Sequence, residues 1–568
     1  MCRGEYSSTC TARQNLGSKP IVVAGGKLNV QAGRGSGTCA SWTRLVAKVS
    51  ETELKVDPAF AGCVKPGDSI MITSDSSKWW DSIGRTVTSV DAATGILAVD
   101  VTITRSLPGL DGPGEPELAV EVAVMSRSVI LQAQEDNVEA PHIGGHLIVY
   151  HTPGVSQAIS GARFVNFGQS GILGRYPIHF HMSENSPSVV SDNVIIQSNQ
   201  RCIVIHNTNG VTVENNVAHD TSGHCYVTET GIEENNVFAN NLGAKTRKLK
   251  FWNGQSDSPG FRGKHIVSTF WVRNMKNEFY GNVAAGSESA GWWFEMKDVK
   301  KSMLSTSPVS SFRDNVAHSS KLNGMTTYKP GWKPAEPAVF DNIRIYKNNG
   351  ESGLKFHITS SLTIQNSLFA DNKVSIRYGV WNGGVTVKDS KIIGLSNDNK
   401  LRNGWSCPAA SSGVYASYNN YPHKTIPKAI TLDNVIMERF TCGSRTIRPY
   451  FDGRQDARGM GNPIQASVTM TDSVGTAGPA FGCGSKEKYV FLEDVGGGLS
   501  PASMGSDPGF FLRNSGYMKA FLPPDACQPL PYGGTWSSGT RCNAFCKNVC
   551  LRYFHISSGI PSATKLVL

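Results

Sequence analysis

Along this chain, apolar residues fall in short runs broken by polar turns, and few runs are longer than a strand. From Pro20 they read Ile21-Val-Val23, then Leu28-Asn-Val30 after a Gly-Gly turn, then Ser41-Trp-Thr-Arg-Leu-Val46 and Leu54-Lys-Val56. Val64-Lys-Pro-Gly-Asp-Ser-Ile-Met-Ile-Thr73 is a turn feeding a strand, and residues 86–104 form a hairpin pattern around Asp91-Ala-Ala-Thr-Gly95. Residues 20–125 are expected to form an N-terminal β-domain, preceded by a polar tail or truncated edge at 1–19.

From Val129 the turns change character. A polar turn, an Asn and then Val, Ile or Ser recur at Asn193, Asn216, Asn236, Asn282, Asn315, Asn342, Asn366 and Asn434, with successive gaps of 23, 20, 46, 33, 27, 24 and 68 residues. A step near 23, or a multiple of it, is the mark of a solenoid. Asn tolerates the left-handed backbone of a sharp corner, and stacked corner amides can bond into a ladder. The expected architecture is all-β, a parallel β-helix over 126–445 with about ten coils and a length of roughly 45 Å. A sandwich of antiparallel strands is the competing fold, but it would place turns every 8–12 residues or so. Residues 446–568 are expected to form a β-rich cap with a Cys-containing tail.

Composition adds to this picture. Gly is 59 of 568 residues and charged residues are 18 %, which excludes a coiled coil or a disordered chain. No apolar stretch is long enough for a membrane span, and no apolar h-region follows Met1-Cys-Arg-Gly-Glu-Tyr6, so neither a span nor a secretory leader is expected in this sequence. The net charge of +10 tilts the partner towards polyanions. An acidic polysaccharide is preferred over nucleic acid, and the oligomeric state stays open. The basic run Lys245-Thr-Arg-Lys-Leu-Lys250, followed by Arg262 and Lys264, is either a solvated loop or an anion-binding rim, with Lys245, Arg247 and Lys248 as substrate-binding candidates. Thirteen Cys, four of them at Cys527, Cys542, Cys546 and Cys550, point to disulfides and an oxidising compartment, with a zinc site as the alternative for the tail.

Candidate chemistry centres on Gly174-Arg-Tyr-Pro-Ile-His-Phe-His-Met182. On a strand His179 and His181 share a face. Arg201-Cys-Ile-Val-Ile-His206 and His224-Cys-Tyr-Val-Thr-Glu229 echo this stretch, and a constant 23-residue step would stack His179 on Cys202 and Cys225, His181 on Val204 and Val227, and His206 on Glu229. With Ile178, Phe180, Ile203 and Ile205 inward, His179, His181, His206 and Glu229 become catalytic candidates on one outer face. Histidine transfers protons near neutral pH, Glu229 supplies a carboxylate, and Arg175 could fork onto a uronate. The same imidazoles could instead be structural, or hold a divalent cation such as zinc; calcium is the other cation considered. Cys202 and Cys225 could bridge or lie buried, and Arg201 and His224 fall on the opposite parity. Asp220 could orient His224 or bind a cation. Trp271 is the preferred sugar platform, with Trp292, Trp293 and Trp79-Trp80 as further candidates against a default of core packing.

Several of these stretches together resemble a known family. Gly174-Arg-Tyr-Pro-Ile-His-Phe-His181, Arg201-Cys-Ile-Val-Ile-His206 with Thr208-Asn-Gly210, and Gly223-His-Cys225 are similar to the cell-migration-inducing and transmembrane cell-surface hyaluronidases, and more distantly to fibrocystin. Gly144-Gly-His146, Ser268-Thr-Phe-Trp271, Ala284-Ala-Gly286 and Phe369-Ala-Asp-Asn372 extend the resemblance, and Ser41-Trp-Thr43 with Lys65-Pro-Gly-Asp68 resembles the eight-glycine β-domain. The resemblance implies a right-handed parallel β-helix, an extracellular or cell-surface place, and hydrolysis of hyaluronan. It carries no catalytic residue over. The chain departs from the animal members in lacking a globular insert, because only residues 44–64 separate the two eight-glycine stretches. The expected function is depolymerisation of an acidic polysaccharide, by a hydrolase rather than a lyase. A non-enzymatic glycan- or matrix-binding surface protein is the alternative.

Overall fold

In the computed structural model, the described residues are 16–400, with breaks at 33–38, 113, 135–141, 250–265, 297–305, 328–330, 349, 358, 360 and 380–384, and mainly strand segments between 412 and 547. The body is a parallel β-helix. One strand of each coil joins a twelve-stranded parallel sheet, which runs from Pro20–Ala24 and His146–Tyr150 through Ile178–Asn185, Ile203–Asn209, Tyr226–Thr228, Ser268–Val272 and Ala290–Phe294 to Arg445–Phe451. The other strands wrap a larger sheet around the same core. Twelve strands about 4.8 Å apart make a rod of roughly 50 Å. Among the described residues no helix is long and apolar enough to cross a membrane.

Alternation decides the faces. Ile178, Phe180, Ile203, Ile205, Tyr226 and Phe270 point into one continuous core. Their rings stack coil on coil, with Tyr226 4.8 Å from Phe270 and Phe270 4.0 Å from Trp292. Cys202 and Cys225 lie in this core and are bonded to each other. Trp292 is also core.

The amide ladder forms, but with a different membership from the one read from sequence. Asn193, Asn216, Asn241, Asn282 and Asn315 are buried and bonded in series, each Nδ2 donating to the next Oδ1 at 2.9–3.0 Å. Asn236 belongs to a second pair, with Asn277. The left-handed corner is the residue before each ladder Asn, at Asp192, Asn215, Asn240, Gly281 and Asp314. In later coils Asn342, Asn366 and Asn434 are themselves the left-handed corners. One motif thus serves two jobs. The inward Asn satisfies backbone groups of neighbouring coils, whereas the outward one makes the bend and donates to a carboxylate of the preceding coil, as Asn342 does to Asp314, Asn366 to Asp341 and Asn434 to Asp389.

Two expected boundaries move. Pro20–Ala24 and Asn29–Gln31 pair in parallel with His146–Tyr150 and Ala158–Ser160, so they open the β-helix instead of the N-terminal domain. That domain is a seven-stranded antiparallel sheet between Trp42 and Val124, with its own core of Leu54, Ile70, Val87, Leu97 and Val122. At the other end, parallel pairing continues past 445 through Ser467–Thr471 to Phe491–Asp494, and only then turns antiparallel at Gly509–Leu512 and Ala544–Lys547. Cys527 and Cys546 face each other across an antiparallel pair there, and Cys542 and Cys550 lie outside the described residues.

The N-terminal sheet docks on the larger sheet of the β-helix. Met71, Leu118, Ala123 and Met125 pack against Val194, Val217, Val283, Val316 and Tyr346. A buried hydrogen bond crosses the seam, with His318 Nε2 3.0 Å from Glu121 Oε2, which also accepts from Thr73 Oγ1 at 2.6 Å. Cys39 and Cys63 are bonded in the N-terminal region.

Candidate active site

Because Ile178 and Phe180 are core residues, His179 and His181 leave the same strand on the outer face of the twelve-stranded sheet. The next coil does not follow a 23-residue step. His179 lies beside Val204 and His181 beside His206, an offset of 25, and the 23-residue step resumes between Ile203 and Tyr226. The extra residues are taken up between His181 and Val189, where the pairing shifts register after His181 and the offset has fallen to 23 by Val189. The columns expected for His179 with Cys202 and for His181 with Val204 are therefore corrected. The real pairing brings two imidazoles together directly.

Three imidazoles and one carboxylate converge. His181 Nδ1 and His206 Nδ1 are 3.0 Å apart, so one donates to the other. Glu229 Oε2 lies 3.4 Å from His206 Nδ1 and 3.9 Å from His179 Nε2. His179 Nδ1 donates to the Gly174 carbonyl at 3.1 Å, which fixes the ring and leaves Nε2 facing the cluster. One ligating atom from each of His179, His181 and His206 lies within 4.8 Å of the others, a grouping able to hold a metal ion. The Tyr150 ring stacks on His181 at 5.6 Å.

The carboxylate is anchored from behind. Glu229 Oε1 accepts from Arg201 Nη1 at 2.5 Å and from the Tyr176 hydroxyl at 3.1 Å, and Arg201 Nη1 also reaches the Tyr176 oxygen at 3.0 Å. Arg273 donates to the Glu229 carbonyl. Burial pushes the Glu229 carboxyl up, but Arg201, His206 and His179 outweigh it and hold it ionised, well below the usual carboxylate range. Burial, then His206, lowers His181 to about 3, so it is neutral at ordinary pH. Burial also keeps His179 well below the usual histidine range.

The other sequence candidates lie elsewhere. Arg175 is buried, with Nη1 3.1 Å from His146 Nε2, so it is not poised to fork onto a uronate beside the cluster. Trp271 is buried in a small outer cluster with Tyr176, Val204, Val227 and Trp293, its Nε1 donating to Glu295 at 3.2 Å, so it is a wall of the site and not an exposed platform. Trp80 is half exposed and belongs to the N-terminal domain, with Trp79 edge-on to it. Lys245 and Arg247 both pair with Asp220, at 3.3 and 3.0 Å, and Lys248 pairs with Glu288 at 4.0 Å. Asp220 is thus an ion-pair partner of the basic run, while His224 Nδ1 meets the Ser268 hydroxyl at 2.8 Å instead. The run lies along the larger sheet, and Lys250, Arg262 and Lys264 fall outside the described residues.

Sequence reasoning missed Arg201 and Tyr176. Arg201 is 2 % exposed and packs between the Tyr176 and Trp271 rings, 5.1 and 5.0 Å from their centres. The available signal was a cation heading an apolar run, since a buried guanidinium needs a carboxylate partner.

Residues 142–325 match the CEMIP β-helix family profile. That match spans about a third of the chain and is to a β-helix domain. This CEMIP-type segment includes every residue of the His–Glu cluster. The chain is 26 % identical over 617 residues to communication mutant protein F of Dictyostelium discoideum, covering 95 % of this chain and 52 % of the relative. It is 26 % identical to the human cell migration-inducing and hyaluronan-binding protein, covering 55 % of this chain and 28 % of the relative. It is 24 % identical to human cell surface hyaluronidase CEMIP2, covering 64 % and 32 % respectively. The chain spans between about a fifth and a half of the length of the first curated relatives it matches.

Proposed function

We propose that this chain depolymerises an acidic, hyaluronan-like polysaccharide by hydrolysis on the outer face of its twelve-stranded sheet. One observation carries the reading. Successive coils bring His179, His181 and His206 onto one outer face beside an ionised carboxylate that Arg201 holds. In this reading His181, neutral and stacked on Tyr150, takes the proton of an attacking water. His206 relays it to the departing glycosidic oxygen as that C–O bond breaks, and Glu229 stabilises the positive charge that forms meanwhile, without itself being protonated. Glu229 is a poor proton donor while Arg201 holds it ionised, so the two-carboxylate scheme of most glycosidases is not the one adopted here. The human relatives' names, hyaluronan-binding protein and cell surface hyaluronidase, support the substrate class. The Cys39–Cys63 and Cys202–Cys225 bonds support an extracellular or cell-surface place.

The test is to incubate the full chain with hyaluronan, chondroitin and pectin and to size the products. His181→Ala and Glu229→Gln should cut turnover by about 10²-fold or more with polymer binding retained. Intact polymer in every case, with binding retained, would reduce the protein to a glycan-binding surface.

A further inference from the structure

We infer that His179, His181 and His206 form a binding site for one zinc-class transition-metal ion, with the Arg201-anchored Glu229 at its edge. The inference rests on the site of the proposed function and revises the roles within it, because with Nδ1 on the ion His181 and His206 act as ligands and not as proton carriers. It stands on the direction of four atoms. His179 spends Nδ1 on the Gly174 carbonyl, so in the neutral ring Nε2 carries the lone pair. That Nε2 is buried and has no hydrogen-bond partner among the described residues, and His179 as a whole is 1 % exposed. His181 and His206 aim their Nδ1 atoms at each other, 3.0 Å apart. A single proton can satisfy that pair, but so can one cation between two lone pairs. Glu229 Oε2 closes the group at 3.4 and 3.9 Å from two of the nitrogens.

The spacing fits the chemistry. Zinc–nitrogen bonds of about 2.0–2.1 Å place tetrahedral donors roughly 3.3 Å apart. The His181–His206 pair is 3.0 Å apart, Glu229 lies 3.4 and 3.9 Å from two of the nitrogens, and the three imidazole donors all fall within 4.8 Å of one another, so side-chain rotations would close them on an ion. Three imidazoles with no thiolate select zinc and its neighbours, and they exclude calcium, which requires a shell of oxygens. Arg201 and Tyr176 act as the outer partners that orient Glu229. A fully coordinated ion would also give the buried lone pair of His179 the partner it lacks among the protein groups.

Full-length protein is stripped with a chelator, dialysed, and titrated with cobalt(II), followed by its visible d–d absorption and by elemental analysis after reloading with zinc. The expected result is one site with tetrahedral-type cobalt bands, lost in His181→Ala and in the bulkier His206→Gln and kept in His151→Ala, whose ring meets the Met182 carbonyl at 3.1 Å and is not one of the three clustered imidazoles. Glu229→Gln should weaken affinity by about 10–100-fold without abolishing the bands. Absence of the bands from the native protein, or their survival in both cluster variants, overturns the site; circular dichroism of each variant separates loss of the site from loss of the fold. Stripped protein that still shortens the polymer, with no bands on titration, would remove the metal and leave the hydrolase reading. Bands with an untouched polymer would do the reverse.

Discussion

Arg201→Met is the sharpest single perturbation of this molecule. It removes a cation that is 2 % exposed and leaves the Glu229 carboxylate, 13 % exposed, without its strongest partner. Breaking a buried pair on one side costs about 3–5 kcal/mol, because the surviving charge stays desolvated. Loss of the stacking of the guanidinium on Tyr176 and Trp271 adds about 0.5–2 kcal/mol. The pH dependence distinguishes charge from packing. In the native chain the Glu229 pKa is depressed, so its contribution is present above the unfolded carboxylate value, near 4.3, and fades as pH falls below it. In Arg201→Met the burial that pushes Glu229 up loses its largest opponent, so the defect should be greatest at neutral pH and shrink as the carboxylate protonates. Adding Glu229→Leu should recover most of the loss, since an apolar pair of similar volume is close to neutral. The assay is denaturant unfolding followed by Trp fluorescence at pH 7 and pH 4, arranged as a double-mutant cycle. An equal loss at both pH values, or a coupling energy below about 1 kcal/mol, would refute the buried-pair account.

Three further outcomes are expected. Asn216→Ala interrupts the ladder and strands the Asn193 backbone N–H and amide, costing about 1–3 kcal/mol for each unsatisfied group, and hydrogen exchange at Asn193 should accelerate while exchange at Asn315 stays unchanged. Glu121 is raised by burial but lowered more by His318 and Thr73, so its depressed pKa makes docking of the N-terminal sheet strongest above the unfolded carboxylate value and weaker as pH falls; Glu121→Gln should flatten that acid transition in a thermal-melt series. Replacing Lys245, Arg247 and Lys248 with Gln should change polymer binding less than about threefold in a sedimentation assay, because their charges already answer Asp220 and Glu288.

Local chemistry alone determined the coil. β-branched strands, Asn corners and a step near 23 residues admit few other ways to pair every backbone group, and strand parity alone placed His179 and His181 outside with Phe180 inside. The 23-residue step found the His206–Glu229 neighbourhood. Only the tertiary structure decided which neighbours these residues meet. Bulge and turn length are not encoded in strand periodicity, and two extra residues between His181 and Val189 moved His181 from Val204 onto His206. Turn side chains obey no alternation either, so Arg201 and Tyr176 reach Glu229 through the packing around Trp271, a contact fixed by three coils at once. The basic run shows the same limit in reverse, because its charge was legible from sequence while its neutralisation by Asp220 and Glu288 required strands to be stacked side by side.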